Sequence, residues 1–157
     1  MTWLELTPDE PRREALSAVI HGTGCRTAAD LFSEWARTLD FPPHFGRNWD
    51  AFHDCLTEKA LWYVDLDGPP PTHPLTILVE DASHLLADAP DRDLAVLLQT
   101  VSDAATVART DEDAYAHQDG YRIHLLLHDA PDRLPLLARR LEAAGFASSG
   151  TGTAKRR

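Results

Sequence analysis

The residues of this chain best suited to chemistry lie in one short segment, between positions 44 and 57. Two aspartates, Asp50 and Asp54, stand four positions apart, with His53 beside the second. On an α-helix, side chains at this spacing lie one above the other, so the two carboxylates would form one acidic ridge. Such a pair on its own most often marks a solvated helix face. Because like charges at this spacing weaken an isolated helix, the pair also fits a surface that meets a basic partner.

The same segment contains residue types that bind metals or act in catalysis: His44, Asp50, His53, Asp54 and Cys55. His53 and Asp54 are adjacent in sequence, and Cys55 points elsewhere on the helix, so a shared metal is disfavoured. No histidine is paired with a nucleophile in a recognisable motif, so catalysis is also disfavoured. We therefore expect no cofactor, no metal and no enzymatic activity, although an enzyme that uses histidine and aspartate at this surface remains an alternative.

Local signals indicate how this segment folds. Gly46 is expected to take a positive φ where the chain turns, and Asn48 is a good N-cap for the helix that follows. Asp50 then lies in the first turn, where the helix dipole favours negative charge. The spacing predicts a core-facing side and an outward side: Trp49, Phe52 and Leu56 on the first, and Asp50, His53, Asp54 and Thr57 on the second.

Three β-prone runs and four helical patterns surround this segment. The strands are predicted at residues 17–21, 75–80 and 121–128, and the helices at 27–39, 49–59, 91–109 and 131–145. Strands separated by helical crossovers predict an α/β fold with a small three-stranded parallel sheet packed with helices, plus an extra C-terminal helix. Residues 2–16 show only a weak helical signal. We expect one domain over residues 1–146 and a flexible tail over 147–157.

Composition and charge limit the possible partners. The chain has 157 residues and a formal net charge of −10, which disfavours nucleic acid and anionic membranes and favours basic partners. Acidity alone can also serve solubility. The first residues lack a basic region followed by an apolar run, and no apolar stretch approaches the roughly 20 residues of a membrane span. We therefore expect a cytoplasmic protein.

Several segments together resemble the barstar family, whose members are intracellular inhibitors of guanyl-specific ribonucleases of the barnase type. They are residues 17–22, the helix that ends at Leu39, and the run from Phe41 to Thr57, which contains Gly-Arg-Asn-Trp-Asp-Ala-Phe-His-Asp-Cys-Leu-Thr. The order of the later elements also agrees. The resemblance covers about residues 17–129.

The resemblance implies roles for individual residues. Asp54 would match the family's central inhibitory aspartate, which takes the place of the RNA phosphate in the nuclease active site, and Asp50 would match a second acidic contact. Asp103 is the best match to an acid on a later helix. The remaining matches are His44, Gly46 and Asn48 at the rim of the contact and His53 where the family usually has tryptophan.

The predicted function is therefore inhibition. A monomer would form a 1:1 complex with a basic secreted ribonuclease or related toxin and occlude its active site with the acidic helix, without touching nucleic acid or membrane. An immunity protein for a non-ribonuclease toxin, or a general interaction module on the same scaffold, is the first alternative.

Overall fold

Four parallel strands form the sheet in the computed structural model, which describes residues 3–62, 75–106 and 122–146. They are β1 (Leu4–Thr7), β2 (Ala18–His21), β3 (Leu75–Glu80) and β4 (Ile123–His128), in the order β1-β4-β3-β2. Three of them correspond to the predicted strands. The α/β class and the parallel sheet are confirmed.

The prediction of three strands was wrong, because β1 adds a fourth. Leu4 and Leu6 are buried, and β1 pairs in parallel with β4 with Leu4 opposite Leu125. Two buried leucines in a strand of four residues, closed by Pro8, are too short a pattern to be told apart from a loop. The weak helical signal nearby corresponds to a single 3-10 turn at Arg13–Ala15.

Four helices accompany the sheet: α1 (Ala28–Leu39), α2 (Trp49–Trp62), α3 (Asp91–Thr106) and α4 (Leu134–Ala143). The Thr27 side chain accepts a hydrogen bond from the Asp30 N–H at 3.2 Å, so α1 begins at its predicted N-cap. Helix α2 runs three residues further than predicted, and α4 begins three residues later.

Strand order decides which face of the sheet the helices cover. The chain steps from β2 to β3 to β4 in one direction, so right-handed crossovers place α1, α2 and α3 on one face. The side chains of Ile77, Val79 and Leu125 are fully buried there. The connection from β1 to β2 runs the opposite way and should cross the other face. An ion pair of 3.4 Å between Arg13 and Glu80 agrees with that path.

No helix in the described parts of the chain is long and apolar enough to cross a membrane. The predicted flexible tail, residues 147–157, lies outside the described residues, as do residues 107–109 of the predicted third helix.

Candidate functional site

The acidic helix α2 begins as its sequence predicts. The Asn48 side-chain oxygen accepts a hydrogen bond from the Ala51 N–H at 2.8 Å, and the Asn48 carbonyl accepts one from Phe52 at 2.9 Å. Asn48 is therefore the N-cap, and Asp50 lies in the first turn, where the free N–H groups favour a carboxylate.

The turn before α2 differs from the prediction. Arg47, not Gly46, has the positive φ, at 55°. A side chain at position 46 would put a Cβ 3.3 Å from the Asn48 amide nitrogen and 3.4 Å from the Ala51 Cβ. The glycine is thus favoured by the close approach of the turn to the cap and not by a left-handed backbone. The Arg47 guanidinium donates to the Ser33 hydroxyl, which ties this turn to α1.

An aromatic cluster supports the turn and the start of α2. Phe32 lies at its centre, with ring centroids 4.9 Å from Trp49, 5.8 Å from Phe52 and 6.0 Å from Phe45. The Trp49 and Phe45 rings meet Phe32 edge to face, a geometry that adds to the stabilisation that burial provides. Two further rings, Trp35 and Phe41, pack on Phe52. The turn and the start of α2 are therefore held by a packed aromatic cluster.

The four residues of the predicted outward face of α2 are all exposed or half-buried. Asp50 is exposed, the Asp54 side chain is 87% exposed, and His53 is half-buried beside it. Thr57 is half-buried like His53, but its hydroxyl oxygen is buried. Helix α3 packs against α2, with Asp103 of α3 beside His53, so part of this face is covered.

Helix α3 brings Asp103 to the same surface. One Asp103 carboxylate oxygen lies 3.5 Å from His53 Nε2, and the other ring nitrogen of His53 lies 3.7 Å from Asp54. Both distances are too long for hydrogen bonds and fall in the range of ion pairs. The second Asp103 oxygen accepts a hydrogen bond from the Gln99 amide at 2.9 Å. The imidazole therefore separates two carboxylates that come from different helices.

The other predicted site residues flank this surface. His44, Gly46 and Asn48 are exposed in the turn at the N-terminal end of α2. Cys55 is half-buried, and burial, with Glu58 and Asp54 adding to it, raises the pKa of its thiol. Within the described ranges, no three histidine, cysteine or acidic side chains are grouped so that they could hold a metal ion.

The model of the barstar (barnase inhibitor) family matches residues 15–119, about two thirds of the chain. The chain belongs to the barstar family. Barstar proteins are inhibitors and not enzymes, and the family implies a protein partner such as a ribonuclease. No curated protein matches the sequence. The match contains α1, α2 and α3, whereas β1, β4 and α4 lie outside it.

Two residues of this barstar surface were not predicted from the sequence. Gln99 stands four positions before Asp103, a spacing that allows a side-chain hydrogen bond on a helix and could have been noticed. Arg47 gave no comparable signal, because neither its positive φ nor its contact with Ser33 follows from local sequence.

Proposed function

We propose that this protein inhibits a basic, guanyl-specific ribonuclease of the barnase type by placing the acidic face of α2 in its active site. One observation supports this most directly: Asp54, in the part of the chain that matches the barstar family, is 87% exposed on α2. We further propose that it acts in the cytoplasm of the producing cell.

The chemistry of inhibition follows from what such an enzyme must bind. A ribonuclease holds the RNA phosphate with clustered cationic side chains. The Asp54 carboxylate can accept the same donors through charge-assisted hydrogen bonds. It carries no scissile bond, so the enzyme is occupied without turnover. Asp50, one turn earlier on α2, and Asp103 on α3 offer further carboxylates to the same groove.

The turn before α2 would form the rim of the contact. His44, Gly46 and Asn48 are exposed there, and the tether from Arg47 to Ser33 limits how far the turn can move. A surface that is ordered before binding loses less entropy in the complex. We propose a 1:1 complex with a monomer of this protein.

Net charge favours the same class of partner. At −10, the chain attracts a basic protein over a distance of about one Debye length, roughly 8–10 Å at ordinary ionic strength. The rate of association should therefore fall as salt is added, whereas the contacts of a buried carboxylate are screened much less.

The test is a titration of a purified barnase-type ribonuclease with this protein while RNA cleavage is followed. Wild type should inhibit stoichiometrically. Asp54→Ala should bind roughly 30-fold more weakly or worse, because truncating one member of a buried charge pair costs about 2 kcal/mol or more, a range measured on interfaces that include this family. Glu142→Ala, which removes an exposed acid from α4, is the matched control and should inhibit like wild type.

Two outcomes would contradict the proposal. No inhibition by wild type would exclude this class of ribonuclease as the target and favour an unrelated toxin. Equal losses in Asp54→Ala and Glu142→Ala would show that net charge, and not the face of α2, governs binding.

A further inference from the structure

Gln99 and Asp103 form a side-chain pair one turn apart on α3. The Gln99 amide donates to one carboxylate oxygen of Asp103 at 2.9 Å, while the other oxygen lies 3.5 Å from His53 Nε2. Both Gln99 and Asp103 are exposed. Water could satisfy both side chains, so the hydrogen bond is not needed to pair a buried polar group. Its effect is to orient the Asp103 side chain.

The orientation of Asp103 decides whether its carboxylate lies close to those of α2. An exposed aspartate on a helix samples several rotamers, and a hydrogen bond from glutamine one turn away favours one of them. With one oxygen engaged by Gln99, the other is turned toward α2. There His53 lies between the carboxylates of Asp103 and Asp54, with its two ring nitrogens at 3.5 and 3.7 Å from them.

We propose that Gln99 is a positioning residue, which holds Asp103 toward α2 so that Asp54 and Asp103 meet one basic groove of the partner. This inference rests on the proposed function. Its physical content is preorganisation: the Asp103 rotamer is selected in the free protein, so less side-chain freedom is lost on binding. His53, at the centre, keeps the carboxylates of α2 and α3 apart.

The first test uses Gln99→Met, which keeps the length of the side chain and its helix propensity but removes the donor. Its inhibition constant against a barnase-type ribonuclease should be about threefold to tenfold weaker than that of wild type, the effect of one additional side chain ordered on binding. The melting temperature should not change. In an Asp103→Ala background, Gln99→Met should have no further effect.

Two results would overturn the inference. Equal losses from Gln99→Met in both backgrounds would show that Gln99 acts through something other than Asp103. Full inhibition by Asp103→Ala would show that the Asp103 carboxylate does not take part.

The second test does not need a partner. Three-bond NMR couplings of the Asp103 side chain in the free protein should report one χ1 rotamer in wild type and averaged rotamers in Gln99→Met. Averaging already present in wild type would refute the positioning role. If wild type fails to inhibit the ribonuclease, the proposed function is refuted, and the NMR couplings still decide whether Gln99 positions Asp103.

Discussion

Two aspartates in this molecule have opposite surroundings. The Asp54 side chain on α2 is 87% exposed, and His53 Nδ1 lies 3.7 Å from its carboxylate. The Asp129 side chain, just after β4, is 2% exposed and accepts hydrogen bonds from the backbone N–H groups of Ser83 and Ala130 at 3.0 and 2.7 Å. A carboxylate with its donors inside the fold holds the fold together, whereas one without them is available to a partner.

Asp129 belongs to a network of hydrogen bonds that also includes Ser83 and Arg140. The Ser83 hydroxyl also donates to Asp129, and Arg140 of α4 donates to the carbonyls of Ser83 and Leu85 at 3.3 and 2.8 Å. These contacts join α4 to the 3-10 turn Ala82–His84 that follows β3. We call Ser83, Asp129 and Arg140 the C-terminal brace. Asp129 and Arg140 lie outside the family match, and we expect the brace to contribute to stability and the acidic face of α2 to binding.

The largest effect is expected at Asp54, where substitution should weaken inhibition but leave stability unchanged. Asp54→Ala should lose inhibition by roughly 30-fold or more, as argued above, yet its free energy of unfolding should stay within about 0.5 kcal/mol of wild type. An exposed carboxylate leaves no buried donor unpaired when it is removed. Urea unfolding followed by tryptophan fluorescence checks this. A marked loss of stability would mean that Asp54 also holds the fold.

At Asp129, substitution should lower stability but leave inhibition unchanged. Asp129→Ala should lower the free energy of unfolding by roughly 2–4 kcal/mol, because the part-buried N–H groups of Ser83 and Ala130 lose their acceptor and Arg133 its buried partner. Inhibition by the folded fraction should be unchanged. Asp132→Ala, an exposed acid three positions away, is the control and should be neutral. A loss below about 0.5 kcal/mol, as for an ordinary surface site, would remove Asp129 from the brace.

Acid should weaken the brace selectively. Burial would by itself raise the pKa of Asp129, but hydrogen bonds from Ser83 and Ala130 and the charge of Arg133 lower it below its ordinary value of 3.8. The stability that this carboxylate provides is therefore present above pH 4 and is lost as pH falls through the lowered folded pKa.

The measurement is urea unfolding of wild type and Asp129→Asn between about pH 6 and pH 2.5. The free-energy difference between the two proteins should shrink toward the acid end. Asp88, whose pKa the Arg26 side chain lowers, titrates with the same sign in both proteins and cancels from the difference. A difference that is independent of pH would contradict the assignment.

The smallest effect is expected at the contact between Arg47 and Ser33, which ties the turn before α2 to α1. Ser33→Ala removes the acceptor of the Arg47 guanidinium without changing charge or backbone, so inhibition should weaken by no more than about threefold through a more mobile turn. Arg47→Gly tests the same contact and suits the positive φ of 55°. If Ser33→Ala inhibits exactly as wild type does, the aromatic cluster alone fixes the turn.

Local features were predictable from the sequence and long-range ones were not. The caps at Thr27 and Asn48 depend on neighbouring residues, and both were found where the sequence placed them. The strand Leu4–Thr7 was missed because its four residues are too short a pattern, and only pairing with β4, far along the chain, identifies it as a strand. The burial of the Thr57 hydroxyl oxygen was likewise not predictable from helical spacing, which does not say how α3 packs on α2.

In the candidate site too, local features were predictable from the sequence and long-range packing was not. Asp50 and Asp54 follow from helix spacing, and Asp103 was matched only through the resemblance to barstar. Its distance of 3.5 Å from His53 depends on how α2 and α3 pack. The roles of all three residues in binding remain predictions.

The pairing of β1 with β4 also has a consequence for how the chain folds. His128 Nδ1 lies 3.0 Å from the Thr7 carbonyl, across 121 positions of sequence. As the polypeptide leaves the ribosome, β1 is the first strand to appear, and its neighbour in the described sheet is the last. Closing so long a loop costs conformational entropy, and only the contacts between β1 and β4 can offset that cost once β4 has been made. The edge strand β1 is thus the first of the four described strands to be made and among the last to be paired.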